Sequence, residues 1–176
     1  MELSKKSLEE AKKLLNRFAD SYEKGIDNAV KYATEAMYKK VLEYCYANGI
    51  YNHANEVKWD YNENTKIGRV WTTNMVIIFN EMGTGIVGAN RPHPSPNHAF
   101  KSWIYDKNEH GKKGWYYSTK ADDPNPYKYE KNGQLYGWTR GLPSRHMFFD
   151  AFNDIKDEIG NIVEIELRKT VGDLYW

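Results

Sequence analysis

The chain has 176 residues, 40% hydrophobic and 28% charged, with 25 basic against 24 acidic side chains. That length suits a single domain with its own core and that composition excludes intrinsic disorder; a formal net charge of +1 gives no bulk field to draw the molecule onto nucleic acid or anionic lipid. One cysteine, Cys45, excludes an internal disulfide framework and a cysteine-rich zinc site, and fits a reducing compartment.

Apolar residues recur in steps of three or four at Leu8, Ala11, Leu15, Phe18, Tyr22, Ile26, Ala29, Ala33, Met37, Val41 and Tyr44. This spacing predicts an amphipathic helical region over 1–48, with Ser7 as N-cap, Glu9 and Glu10 in the first turn, and the "ANG" at Ala47–Gly49 as a stop. One helix of about 40 residues would be ~60 Å long. Gly25 leaves open a bend, or two helices in its place. The opening "MELSKKSLEEAKK" lacks the apolar centre of a secretory signal, and no apolar run reaches the ~18 residues of a membrane span. The expectation is a protein soluble where it is made.

In "EVKWDY", Val57, Trp59 and Tyr61 alternate with Glu56, Lys58 and Asp60; with the polar "NENT" and "KIGRVWTT" that follow, this predicts a β-hairpin. The continuous apolar run "MVIIFNEM", residues Met75–Met82, reads as a buried strand that leads into a glycine segment. From 83 to 114 the chain reads as a long loop, with Pro92, Pro94 and Pro96 close together. "WYYST" and "QLYGWT" read as two aromatic strands around a second loop arm at 121–134. Pro143 then opens an amphipathic helix over 143–172, with Phe148, Phe152, Ile155, Ile159, Ile162 and Leu167 near one face and a possible interruption at Gly160-Asn161. The fold class predicted is α+β in one domain, 1–176: a long N-terminal helix, an antiparallel sheet within 55–140 with its loop arms, and the C-terminal helix packed on the sheet.

Several patterns raise chemistry. Gly83, Gly85 and Gly88 keep the spacing G-x-G-x-x-G of a dinucleotide-binding turn, and Asp106 lies where a ribose-binding acid is expected. That turn must open a helix, whereas "ANRPHPSPNH" follows, whose prolines remove donors and exclude α geometry. The glycines then serve a sharp backbone turn. His93, His98, His110 and His146 with Glu81 offer metal-ligand chemistry without helical ligand spacing, and turn or hydrogen-bonding roles are commoner for such residues. Ser144 lies outside a G-x-S-x-G elbow and reads as a cap or border of the last helix; Cys45 falls on the apolar side of the first. "GKKGWYYSTK" mixes basic and aromatic residues as single-strand or sugar-binding surfaces do, and equally as a solvated hairpin does. No catalytic residue, cofactor or metal is expected.

Three blocks in order, "FNEMGTGIVGANRPHPSP", "WIYDKNEHGKKGWYYST" and "GWTRGLPSRHMFFDAF", carry a resemblance. The chain resembles the phage tail-component family named after gene product ten of coliphage HK-ninety-seven, especially long-loop members from phages and prophages of Gram-positive bacteria. The family's glutamate before Gly-Thr-Gly is matched by Glu81, Gly83, Thr84 and Gly85. Its Pro-His-Pro loop is matched by Pro92, His93 and Pro94, and its Gly-x-Pro-Ala/Ser-Arg motif by Gly141, Pro143, Ser144 and Arg145. The match runs from about Val57 to Ile159 and departs at His146, where the family usually has a proline that stiffens the start of the last helix.

The resemblance implies a head–tail junction protein of the virion, made in the cytoplasm of the bacterial host. It would be a neck or tail-completion subunit, in a homo-oligomeric ring of about six or twelve copies between a connector or stopper protein and the tail tube or tail terminator. It implies no catalysis, no membrane partner and no sequence-specific nucleic acid. The aromatic content of 15% suits repeated subunit contacts, with Arg91, Trp103, Tyr105, Trp115, Tyr127 and Trp138 as candidate interface residues and the two loop arms reaching to neighbours. Arg145 is expected to pair bidentately with Glu81 and lock the glycine turn to the last helix. Two alternatives come from other classes: a nucleotide- or metal-binding enzyme using the Gly83–Gly88 loop, and a carbohydrate-binding module using exposed Trp103, Trp115 and Trp138. The Lys-, Asn- and Tyr-rich composition suits an AT-rich Gram-positive host.

Overall fold

The computed structural model of the protein describes residues 5–172, apart from the side chains of Lys6, His98 and Ala99. In chain order the elements are α1 (Lys5–Ala47), β1 (Lys58–Asn62), β2 (Ile67–Trp71), α2 (Met75–Met82), α3 (Gly85–Asn90), α4 (His98–Lys101), β3 (Trp115–Ser118), β4 (Lys128–Lys131), β5 (Gln134–Thr139) and α5 (Met147–Gly172). The class is α+β, as the periodicities predict. The chain divides into two compact units, one formed by the chain up to Glu43, Val57–Trp71 and the chain from Ala151, the other by Tyr44–Glu56 and Thr72–Asp150.

In the first unit α1 is one continuous helix, so Gly25 does not divide it into two. It marks a helix crossing: a Cβ built there would stand 2.5 Å from Thr170 Oγ1 and 2.9 Å from Leu167 Cδ2. The missing side chain lets α5 lie against α1, and this is where the C-terminal helix packs, instead of on a sheet. Gly160 and Asn161 lie inside α5 without interrupting it. Ala29, Val41, Ile155 and Ile162 are buried in this unit.

The predicted hairpin is present, with Lys58 opposite Trp71 and Asn62 opposite Ile67. Its turn is closed by Asn62 Oδ1, which accepts from the amides of Asn64 and Thr65 at 3.0 Å each. The hairpin is tied to α1 through Asp27, which accepts from Lys66 Nζ at 2.6 Å and Tyr61 OH at 2.8 Å. Those two donors, Lys66 first, hold the Asp27 carboxyl below its ordinary range. Gly68 lies directly on the Thr34 side chain.

In the second unit the segment Met75–Met82 is a helix, not a buried strand. The Asn74 side chain accepts from the amides of Val76 and Ile77 at 2.8 and 3.2 Å, which caps the N-terminus. Gly83, at φ 80, stops the helix and donates its amide to Phe79 O at 2.8 Å. The burial is one-sided: Ile77, Asn80, Glu81 and Met82 are inside, while Met75, Val76 and Phe79 are exposed. A helix accounts for that pattern, and a strand buried on both faces does not.

Residues 83–114 are not one unbroken loop, since α3, α4 and a short 3-10 turn at Gly111–Lys113 lie within them. Nor is 121–134 only a tip, because β4 lies within it. The expected single sheet is two: the β1–β2 hairpin of the first unit, and a three-stranded antiparallel sheet of order β3-β5-β4 in the second. In the latter Tyr116 faces Trp138 and Tyr129 faces Tyr136. α5 starts at Met147, four residues later than Pro143 suggests, because the intervening backbone is held against the glycine turn.

Candidate functional site

The second unit is organised around the Glu81 carboxylate at the end of α2. Its Oε1 faces His93 Nε2 at 3.0 Å, and the two side chains are 9% and 0% exposed. Glu81 also accepts from the amides of Phe148 and Phe149, at 2.8 and 3.2 Å, and so caps the first turn of α5 from outside the helix. Those amides have no partner within a helix, and the positive end of the helix dipole lowers the cost of burying the charge. The Ser95 amide donates to His93 Nδ1 at 3.2 Å, so Nδ1 is the acceptor and Nε2 carries the proton that faces Glu81. His93 stacks on Phe100 with ring centroids 4.4 Å apart, and the edge of Phe149 closes the site at 5.4 Å. Pro92 and Pro94 are exposed on either side of it. Their fixed φ keeps this segment extended, which turns His93 inward.

The glycine turn is joined to the segment before α5. Thr84 N donates to Leu142 O at 2.9 Å and Leu142 N to Thr84 O at 3.1 Å, while Ser144 Oγ donates to Glu81 O at 2.5 Å. A Cβ on Gly83 would stand 2.7 Å from Ser144 N, and Gly141, at φ 110, lies against the Thr84 carbonyl. Glycine is needed at both positions because two backbones approach at main-chain distance.

The expected Glu81–Arg145 ion pair is not made. Arg145 Nη1 donates instead to the Asn48 carbonyl and, at 3.3 Å, to Asn48 Oδ1, just past the end of α1; its own amide donates to Asn80 O at 2.8 Å. The carboxylate is saturated by His93 and two amides, and the guanidinium satisfies carbonyls that α1 leaves open. At His146 the backbone φ is 49, in the left-handed region, which a proline ring cannot adopt.

A cleft of about 1110 Å³ opens beside the turn, lined by Met75, Phe79, Trp103, Tyr105, Trp115 and Leu142, among others. Three of the six candidate interface residues therefore meet in one place. Two of them have a polar atom committed internally: Trp103 Nε1 donates to Gly83 O at 3.0 Å, and Tyr105 OH accepts from the His93 amide at 2.9 Å. Trp138 is fixed elsewhere, Nε1 donating to Lys113 O at 3.2 Å, and Arg91 and Tyr127 are exposed outside the cleft. Trp103, Trp115 and Trp138 are each half-buried.

The G-x-G-x-x-G spacing lacks the strand expected before it, since α2 stands there. A helix does open within it, where the prolines suggest none: α3 begins at Gly85 and runs for six residues. Gly88 sits in that helix packed on Gly83 and Tyr105, with a Cβ there 2.8 Å from Gly83 C. Asp106 accepts from the amides of His110 and Gly111 at 2.9 and 2.5 Å; those two bonds, Gly111 first, hold its carboxyl below the usual range and commit it to its own loop. Among the described residues no three His, Cys, Asp or Glu side chains converge as a metal-ligand set, and the His98 side chain lies outside them. Among the described residues, no helix is long and apolar enough to cross a membrane.

Cys45 is fully buried, and burial, with the Glu81 charge as a smaller cause, pushes its thiol up to about 11. Sequence reasoning missed the Asp123–Asn125 turn. Asp123 accepts from Tyr117 OH, Thr119 Oγ1 and the Asn125 amide, and Asn125 Nδ2 donates to Trp138 O at 2.7 Å, which pins the supposed tip to the sheet. The "DDPNP" stretch carried the signal, since Asp and Asn bond backbone amides two residues on. Asn74 was the corresponding missed signal for α2.

The fold and site therefore define an α+β chain with an aromatic cleft beside a glycine-built joint. No protein family, curated protein or solved structure matches the chain.

Proposed function

We propose that the chain is a structural virion protein of a tailed phage, a neck or tail-completion subunit working as a ring of identical copies between connector and tail tube. The observation that carries this reading is the convergence of the three blocks that resemble such proteins. Glu81–Gly85, Pro92–Pro94 and Gly141–Arg145 bond to one another around one carboxylate, and Trp103, Tyr105 and Trp115 of the middle block line the cleft beside them. Glu81, His93 and Ser144 spend their polar atoms on internal partners, which suits a scaffold better than a catalytic centre. Ile104, Tyr116 and Met75 at the cleft are 66%, 58% and 52% exposed, apolar surface of the kind that a repeated heterologous contact buries.

The test is disruption of the gene in a lysogen, with electron microscopy of the induced lysate. DNA-filled heads and free tails that fail to join are expected, together with detection of the chain in wild-type virions by mass spectrometry. Infectious tailed particles at normal yield from the disrupted strain would overturn the reading. A melting temperature raised by nicotinamide dinucleotide or zinc would favour the ligand-binding alternative instead.

A further inference from the structure

The first turns of α1 present an apolar stripe that continues beyond the described part of its partner helix. Every described side chain from Lys5 to Asp20 is exposed, among them Leu8 at 55%, Leu14 at 59%, Leu15 at 68% and Phe18 at 41%, with Tyr22 one turn further on at 47%. Leu8, Ala11, Leu15, Phe18 and Tyr22 step by three and four along one face, the spacing of a two-helix seam. The same seam is covered further along, where Gly25 lies on Leu167 and Thr170 and Ala29 is buried. Gly172 is the last described residue of α5, and there Phe18, Tyr22, Leu167 and Val171 border an open groove of about 520 Å³. The stripe from Phe18 back to Leu8 thus extends an established helix–helix interface past the last described residue of α5.

The described side chains of the first turns of α1 have no packed side, whereas helices in proteins are held mostly by burial of an amphipathic side. We infer that the stripe is a self-association site, in which two copies of the chain pair stripe to stripe as a short two-stranded coil. Leu8, Leu15, Phe18 and Tyr22 of the stripe, with Leu14 flanking it, expose roughly 500 Å² per copy, so pairing buries at most roughly 1,000 Å² in all, the lower bound of a specific interface. Between residues 5 and 24 there are six cations and four carboxylates, a mixed surface that two copies can bring together without strong repulsion. The stripe is one patch facing its own copy, which is the isologous arrangement of a two-fold dimer. The inference concerns the helix alone and stands whatever becomes of the virion reading.

Light scattering after size exclusion, over a concentration series, tests it on the full chain. A monomer–dimer equilibrium is expected, weakened at least about tenfold by Leu8→Glu with Leu15→Glu while the melting transition of the rest of the chain persists. Leu15→Cys should form a disulfide-linked dimer under mild oxidation and Lys13→Cys, on the opposite side of the helix, should not; native Cys45 is buried and does not interfere. A monomeric mass up to about 0.1 mM would overturn the inference, as would self-association that the double substitution leaves intact. Dimers that appear only after truncation behind Gly172 would also overturn it, because the chain's own C-terminal residues would then be the cover.

Discussion

The Glu81 carboxylate faces the His93 imidazole at 3.0 Å and at the same time receives the Phe148 and Phe149 amides, so a single buried charge joins α2, the Pro-His-Pro segment and the start of α5. Replacing Glu81 with Ala leaves a buried imidazole N–H and two helix amides without partners. The expected loss is about 3 kcal/mol in urea unfolding, with Glu81→Gln losing about half of that because it keeps one acceptor. A change under about 0.5 kcal/mol for Glu81→Ala would show that the network contributes no net stability.

Arg145→Ala should cost about 1–2 kcal/mol by freeing the Asn48 carbonyl, and Arg145→Lys should recover less than half of it for want of the planar fork. A double-mutant cycle separates the partners. Coupling of at least about 1 kcal/mol is expected between Glu81 and His93, and less than about 0.5 kcal/mol between Glu81 and Arg145. The reverse order would restore the ion pair that the sequence suggests.

Two helical glycines should respond with opposite signs to alanine. At Gly160 a new Cβ meets nothing within 4 Å, so Gly160→Ala should stabilise by about 0.5–1 kcal/mol through helix propensity and reduced freedom of the unfolded chain. At Gly88 the Cβ would stand 2.8 Å from Gly83 C and 2.9 Å from Tyr105 Cδ1, and Gly88→Ala should destabilise by about 1–3 kcal/mol. Calorimetric melting of the two variants reads both signs.

The Cys45 thiol should react with an aromatic disulfide reagent at neutral pH only on unfolding, since it is buried and its thiolate is disfavoured. Its folded pKa, about 11, lies above the ordinary 9.0, so the stabilising contribution is complete below pH 9 and declines as pH rises towards 11. The loss is on the order of 2 kcal/mol and should be missing from the pH dependence of Cys45→Ala. Labelling of the folded protein as fast as that of the unfolded chain would contradict the burial.

Much of the architecture was legible because it rests on local periodicity. Steps of three and four placed α1 and α5, and alternation with a polar turn placed the β1–β2 hairpin. The run "MVIIFNEM" was not decidable on that basis, because eight mostly apolar residues fit a buried strand or a half-buried helix equally well. The Asn74 cap and the Gly83 stop select the helix, and both are legible once helical geometry is assumed.

The sequence by itself determined the two long helices, the β1–β2 hairpin and the sharp turn at Gly83, since each depends on backbone preferences of neighbouring residues. Only the tertiary structure decided which charges meet. Glu81 takes His93, 12 residues away, and leaves Arg145 to Asn48, 97 residues away, because partner choice follows the path of the intervening backbone. It also decided that Gly25 is where α1 meets α5, for the atoms that require a glycine there belong to Leu167 and Thr170, at the far end of the chain.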